Sequence, residues 1–311
     1  METNELITSF YKEKLSLVTC NYDIVFGAIP VWLQNTNIMI YIETNAHKEC
    51  VKVVHRIKTV PCRIAIPHLP NGQYILQILY ESTKRKNYYI GINAAEGFPI
   101  KVSNGNLHFI VPPTFESNKT YFLQQKNDWI TKACSKSSNS LYQADLPEVI
   151  DLATKITKYK TGNYNKILAI HDWVAENLYY DYDALASGRY RYERYDALQM
   201  LKTRRTVCRG YSKLAVTLLR AIDIPAIDVL CFALGEYSDG GWNSGDNLTA
   251  EANHVITFAL ADSRWIMMDP TWDSVNEYRN GEYIEKTEGG ARHTYFDATL
   301  AFFSFTHRFI K

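Results

Sequence analysis

The sequence predicts an α+β chain in two parts, a small β-sandwich followed by a helix-then-strand half. Two observations predict it. From about residue 22 to 112, short β-branched and aromatic runs alternate with turn residues. Past Pro112-Pro113 the apolar period becomes helical, and strands return only near the end. Neither proline can continue a strand ladder, so the expected division is residues 1–115 and 116–311.

The first half reads in order. Residues 4–18 are expected as a short amphipathic helix, with Leu6, Phe10, Leu15 and Leu17 on its apolar side. Strands are expected at 37–43, 50–56, 63–66, 73–80, 88–92 and 107–111. Pro67, Pro70-Asn71-Gly72, Asn93 and Ser103-Asn104-Gly105 separate them. The tight turn feeding an alternating strand in LPNGQYILQILYES loosely resembles immunoglobulin-like modules.

In the second half, Asp145 is the expected cap of a helix with Pro147 in its first turn. Asn163 is expected to cap the next helix, with Gly162 separating the two. A third helix spans about 208–222 and ends before Pro225. Strands follow at 226–234, 253–260 and 264–269.

Composition narrows the function. Lys and Arg number 34 against 33 Asp and Glu, so no global field favours nucleic acid. No stretch is long and apolar enough to span a membrane, since Arg220, Asp223, Pro225 and Asp228 interrupt the best window. The N-terminus shows no signal peptide. The default compartment is therefore cytoplasmic, or extracellular if a leader has been removed. The six cysteines form no CxxC pair, so neither a disulfide scaffold nor structural zinc is expected. No cofactor is implied.

The chemistry points to Cys208, His254 and Asp269. Cys208 opens a helix, where partial positive charge and free N–H groups stabilise a thiolate. The same N–H groups can receive the oxyanion formed when sulfur attacks a carbonyl. His254 lies in one expected strand, and Asp269 ends the next. Adjacent antiparallel strands would set imidazole and carboxylate side by side, with sulfur about 4 Å from one ring nitrogen.

Four ordered pieces resemble the transglutaminase-like family. KILAIHDWVAENLYYD resembles the helix ending in a Tyr-Asp pair. TVCRGYSKLAVTLLRAIDIPA resembles the nucleophile helix, NHVITF the histidine strand, and RWIMMDPTWD the acid strand. The resemblance implies a nucleophile helix packed on an antiparallel sheet, with Cys208, His254 and Asp269 as the triad. It implies acyl transfer through a thioester on a protein or peptide substrate. Hydrolysis of a peptide, amide or isopeptide bond leads, with transamidation and a silent scaffold as alternatives. Two departures stand out. Thr206 replaces a glycine usual in the family, and Val255-Ile256-Thr257 replace Ala-Trp-Asn.

Other residues carry readings of their own. Tyr180 either donates to the oxyanion or is a core tyrosine that ties down a loop. Gly210 is expected to let the substrate backbone approach closely. Residues 235–248, with Trp242, either border the cleft as a lid or form a surface loop. The run 189–195 is either a basic–aromatic binding strip or a solvated loop. His171, His293 and His307 read as structural or exposed. Asn118 and Asn247 match the N-glycosylation pattern.

Overall fold

The computed structural model describes residues 2–10, 13–44, 46, 48–91, 97–111, 114–134, 136, 142–234, 242, 252–286 and 290–309. The chain divides into two compact units. The first holds Met1–Glu116, Leu234–Asn243 and Asp297–Thr306, and the second holds Ser117–Ala233, Ser244–Phe296 and His307–Lys311.

The first unit is built of antiparallel strands. They are β1 (Glu2–Thr3), β2 (Glu5–Phe10), β3 (Glu13–Cys20), β4 (Asp23–Ala28), β5 (Asn37–Glu43), β6 (Glu49–Arg56), β7 (Cys62–Ala65), β8 (Gly72–Glu81), β9 (Tyr89–Gly91), β10 (Phe98–Ser103) and β11 (Asn106–Ile110). One sheet has the order β1-β11-β10-β8-β5-β6, with β9 also on β8; the other is β2-β3-β4-β7. Alternation explains the burial. Tyr74, Leu76 and Ile78 of β8 are buried, and their neighbours in sequence are partly exposed.

The expected helix over 4–18 is instead the β2–β3 hairpin. Its register sets Leu6 opposite Leu17 and Thr8 opposite Leu15. Leucines at 15 and 17 satisfy a period of two, and pairing with β4 then buries Leu17 fully. The Pro112-Pro113 boundary lies outside the described residues.

The remaining elements are α1 (Thr114–Ala133), α2 (Pro147–Thr157), α3 (Gly162–Asn177), β12 (Tyr179–Asp181), α4 (Tyr182–Ser187), α5 (Ala197–Thr203), β13 (Arg205–Thr206), α6 (Cys208–Ala221), β14 (Ala226–Ala233), β15 (His254–Ala261), β16 (Arg264–Met268), α7 (Pro270–Asp273), β17 (Glu277–Arg279), β18 (Glu282–Ile284), α8 (Leu300–Thr306) and β19 (His307–Phe309). Two helix starts differ from the sequence reading. Pro147 occupies the first helical position of α2, and the residue before a proline is pushed to extended backbone, so Leu146 and not Asp145 is the cap. Gly162 belongs to α3, at φ +74°, and Thr161 stands at its cap.

In the second unit an antiparallel sheet of order β16-β15-β14-β19 meets α6. Every residue of α6 from Gly210 to Ala221 is buried. Its polar side chains are therefore engaged. Ser212 donates to the Val255 carbonyl at 3.0 Å, and Arg220 Nε donates to the Ala226 carbonyl at 2.9 Å. Ile167, Ile170 and Val174 of α3 and Val149 and Ala153 of α2 close the other side of α6 in one apolar cluster. This packing fixes the first turn of α6, and Cys208 with it. Residues 261 and 264 are paired, so β15 and β16 join through the two-residue turn Asp262-Ser263. That short link sets His254 and Asp269 at the same end of the sheet.

Candidate active site

Cys208 is the first residue of α6, after the extended cap Val207, and it is half-buried. The N–H groups of Cys208 and Arg209 precede the first helical bond, which Gly210 N–H makes to the Val207 carbonyl, so they have no acceptor within the helix. Cys208 lies close enough to His254 to help hold the imidazole proton. His254 Nε2 lies 2.6 Å from Asp269 Oδ2, which leaves Nδ1 as the ring nitrogen for the sulfur.

Asp269 is fully buried and caps α7, its Oδ1 accepting from Thr271 N at 3.0 Å and Trp272 N at 3.3 Å. Pro270, at the first helical position, fixes this turn. The electrostatics follow. Burial alone would lower the His254 pKa, but the Asp269 and Cys208 charges and hydrogen bonds to both outweigh it and raise it to about 10. Burial alone would raise the Asp269 carboxyl, but His254 and His307 hold it well below the usual carboxylate range. Imidazolium and carboxylate are thus the stable forms at neutral pH.

Tyr180 lies on β12, paired in parallel with Thr206 of β13. Its phenol is pushed up by burial and by the charges of Cys208, Tyr182, Asp269 and Tyr195, so it stays protonated. Gly210 faces inward. A Cβ there would stand 1.9 Å from Thr206 Oγ1 and 2.8 Å from Met200 Sδ, and its N–H is bonded to the Val207 carbonyl at 2.9 Å. Packing, and not substrate approach, accounts for this glycine. Trp242 belongs to the first unit, where its indole N–H donates to the Ser304 carbonyl at 3.0 Å. Residues 235–241 and 243–248 of the expected lid lie outside the described residues, as does Asn247.

The 189–195 run is internally tied. Arg189 pairs with Asp181 at 3.1 Å and Glu193 at 2.6 Å, and the Tyr195 hydroxyl donates to the Tyr190 carbonyl at 2.6 Å. Asn118 is buried and bonded at both ends of its amide, to the His307 carbonyl and from Phe309 N–H, a geometry that leaves no room for a glycan. Of the histidines, His171 and His307 are fully buried. His171 stands 3.1 Å from both Asp172 and Asp273, and Asp172 also lies 2.7 Å from His293. His307 reaches Asp269 at 3.3 Å. The last contact had no sequence signal, because 38 residues separate its partners. Two groups, His171-Asp172-His293 and His254-Asp269-His307, bring possible metal donors together among the described residues. In both, the donors already bond one another.

Residues 150–270 match the sequence model of the transglutaminase-like superfamily. Mouse kyphoscoliosis peptidase is 25% identical over 125 residues, which are 40% of this chain and 18% of that protein. The chain thus matches less than a fifth of the length of this relative. A Cytophaga hutchinsonii structure, provisionally assigned as a cysteine protease, is 26% identical over 46% of this chain and 42% of its own, with TM-score 0.34. Red sea bream transglutaminase is 13% identical over 84% of this chain and 49% of its own, with TM-score 0.31.

Proposed function

We propose, from the premise that this chain carries a transglutaminase-like domain, that it performs cysteine-dependent acyl transfer through a thioester. Hydrolysis of a peptide, amide or isopeptide bond in a protein or peptide is the leading form. The observation that carries the reading is one chain of contacts. A cysteine at a helix N-terminus acts electrostatically on an imidazole, one nitrogen of which lies 2.6 Å from a buried carboxylate.

In this reading the Cys208 thiolate attacks the carbonyl carbon. The carbonyl π electrons move to oxygen, which the first-turn N–H groups of α6 and the Tyr180 hydroxyl receive. As the tetrahedral species collapses, the C–N bond breaks and His254 Nδ1 delivers its proton to the departing amine. A thioester remains. Neutral His254 then takes a proton from water, whose oxygen attacks the thioester carbon. The C–S bond breaks, the acid leaves, and the thiolate–imidazolium pair returns. An amine in place of water gives transamidation by the same steps. Asp269 holds His254 with Nδ1 toward sulfur throughout.

Residues 1–115 are the proposed non-catalytic, immunoglobulin-like domain, and 116–311 the catalytic one. The test is release of p-nitrophenol from p-nitrophenyl acetate. The wild type is expected to show a burst followed by turnover, and Cys208→Ala neither. Equal release by both proteins sinks the assignment.

A further inference from the structure

Asp269 is more crowded than a three-residue triad requires. Its Oδ1 is committed to two backbone N–H groups. Its Oδ2 meets a second imidazole, His307 Nε2 at 3.3 Å, besides His254. An ionised carboxylate only accepts, so His307 must carry its proton on Nε2.

The second imidazole is firmly held. β19 pairs with β14, with His307 opposite Ala233. On the other side of the strand, the Asn118 amide takes the place of a neighbouring strand, bonding the His307 carbonyl and the Phe309 N–H, each at 3.1 Å. The ring packs on Trp272 at 4.6 Å and Tyr295 at 5.5 Å between centroids. His254 stands 5.3 Å away. Two cations that close around one carboxylate would repel, so only one imidazole takes the charge. Burial and the His254 charge favour neutral His307.

We propose that His307 is a positioning residue of the acyl-transfer site, a neutral donor that fixes the Asp269 carboxylate and thereby sets the orientation and proton affinity of His254. The inference rests on the reading of Cys208, His254 and Asp269 given above. His307 has no place in the proton transfers themselves. It shares the charge of Oδ2, so His254 grips its proton less tightly than a carboxylate with one donor fewer would make it. It also prevents the carboxylate from turning away from His254.

Among the described residues, Asp269, His254, Trp272 and Tyr295 face His307, and they decide the substitutions. His307→Phe keeps a flat ring against Trp272 and Tyr295 and removes the donor. His307→Gln keeps an amide N–H near the position of Nε2. The measurement is the rate of Cys208 alkylation by iodoacetamide against pH, read by peptide mass, with thermal unfolding recorded for each variant.

For H307F the plateau rate is expected to fall on the order of tenfold, the rate equivalent of one charge-assisted hydrogen bond. Its alkaline limb is expected to move to higher pH. H307Q is expected to recover both rate and limb. If H307F does not fold, H307N, whose amide is too short to reach Asp269, takes its place. H307F with wild-type rate and limb overturns the proposal. So do F and Q variants that lose rate equally. A wild type without selective Cys208 alkylation sinks the parent reading and this one together, whereas selective wild-type alkylation unmoved by H307F sinks this one alone.

Discussion

Asp269→Asn is the substitution whose consequences the geometry determines most fully. The Asn oxygen can keep the two backbone caps at Thr271 and Trp272, so α7 survives. Its amide nitrogen then faces the Nε2–H groups of His254 and His307, where an acceptor stood. His254 is forced to lose a proton or turn. In the wild type, the rise from 6.5 to about 10 corresponds to ~5 kcal/mol of extra hold on the imidazolium proton at about 1.4 kcal/mol per pH unit. This is an upper value, and breaking a buried pair is expected to cost about 3–5 kcal/mol. The His254 and Asp269 shifts describe one interaction, so they are counted once.

The sign of the pH dependence follows. His254 is raised on folding, so its contribution is complete below about pH 6.5 and is lost as pH rises through about 10. Asp269 is lowered from 3.8, so its contribution is present above that value and is lost as pH falls through the folded one. The stability gap between wild type and D269N is therefore expected to be widest between about pH 4 and 6.5 and to close toward pH 10. The assay is guanidinium unfolding of both proteins from pH 5 to 10.5, read as the difference. A gap that stays flat across that range would refute the imidazolium–carboxylate pair. Turnover of D269N is expected to fall about 10³–10⁴-fold, because the remaining tautomer puts a proton on the nitrogen that must accept one.

Four further outcomes are expected. Cys208→Ala should change stability by less than about 1 kcal/mol, since a half-buried thiol at a helix start packs little, as chemical unfolding will show. Gly210→Ala should destabilise by about 1–3 kcal/mol through overlap with Thr206, and the double variant with Thr206→Gly should regain most of it in a thermodynamic cycle. Tyr180→Phe should slow acylation by p-nitrophenyl acetate at least about tenfold with unchanged unfolding temperature, and an unchanged rate would remove its hydroxyl from the oxyanion site. A chelator should leave the Cys208 alkylation rate unaltered, because the donors around Asp269 are occupied by one another.

Local pattern made most of this architecture legible. The strands from 37 to 81 stand out as β-branched and aromatic runs between turn residues, β8 alternating most cleanly, and the Cys208 helix announces itself through an apolar face and Pro225. The hairpin at 5–20 was hidden because its apolar residues also suit a helical spacing, and only pairing with β4 decides between the two. Gly210 looked like room for substrate, whereas its partner is Thr206, four residues back and on a separate strand. Thr206 occupies the space that a side chain at Gly210 would need, which gives a physical reason for the glycine at 210. Thr257, in the altered stretch after His254, is fully buried and its hydroxyl has no hydrogen-bond partner among the described residues, so no compensating bond among them explains that change. His307 and Asn118 were illegible for a different reason. Each acts through a contact spanning more than 30 residues, and nothing near either in sequence marks it.

The central proposal is that Cys208 is the nucleophile and His254 its partner. Its most direct test is competitive alkylation of the folded protein by limiting iodoacetamide near neutral pH, with all six cysteines quantified by peptide mass. The account predicts that Cys208 reacts ahead of the exposed Cys20, Cys50 and Cys134, and that His254→Ala removes its lead. Labelling that follows exposure alone, with Cys208 behind those three and indifferent to the His254 substitution, would contradict it.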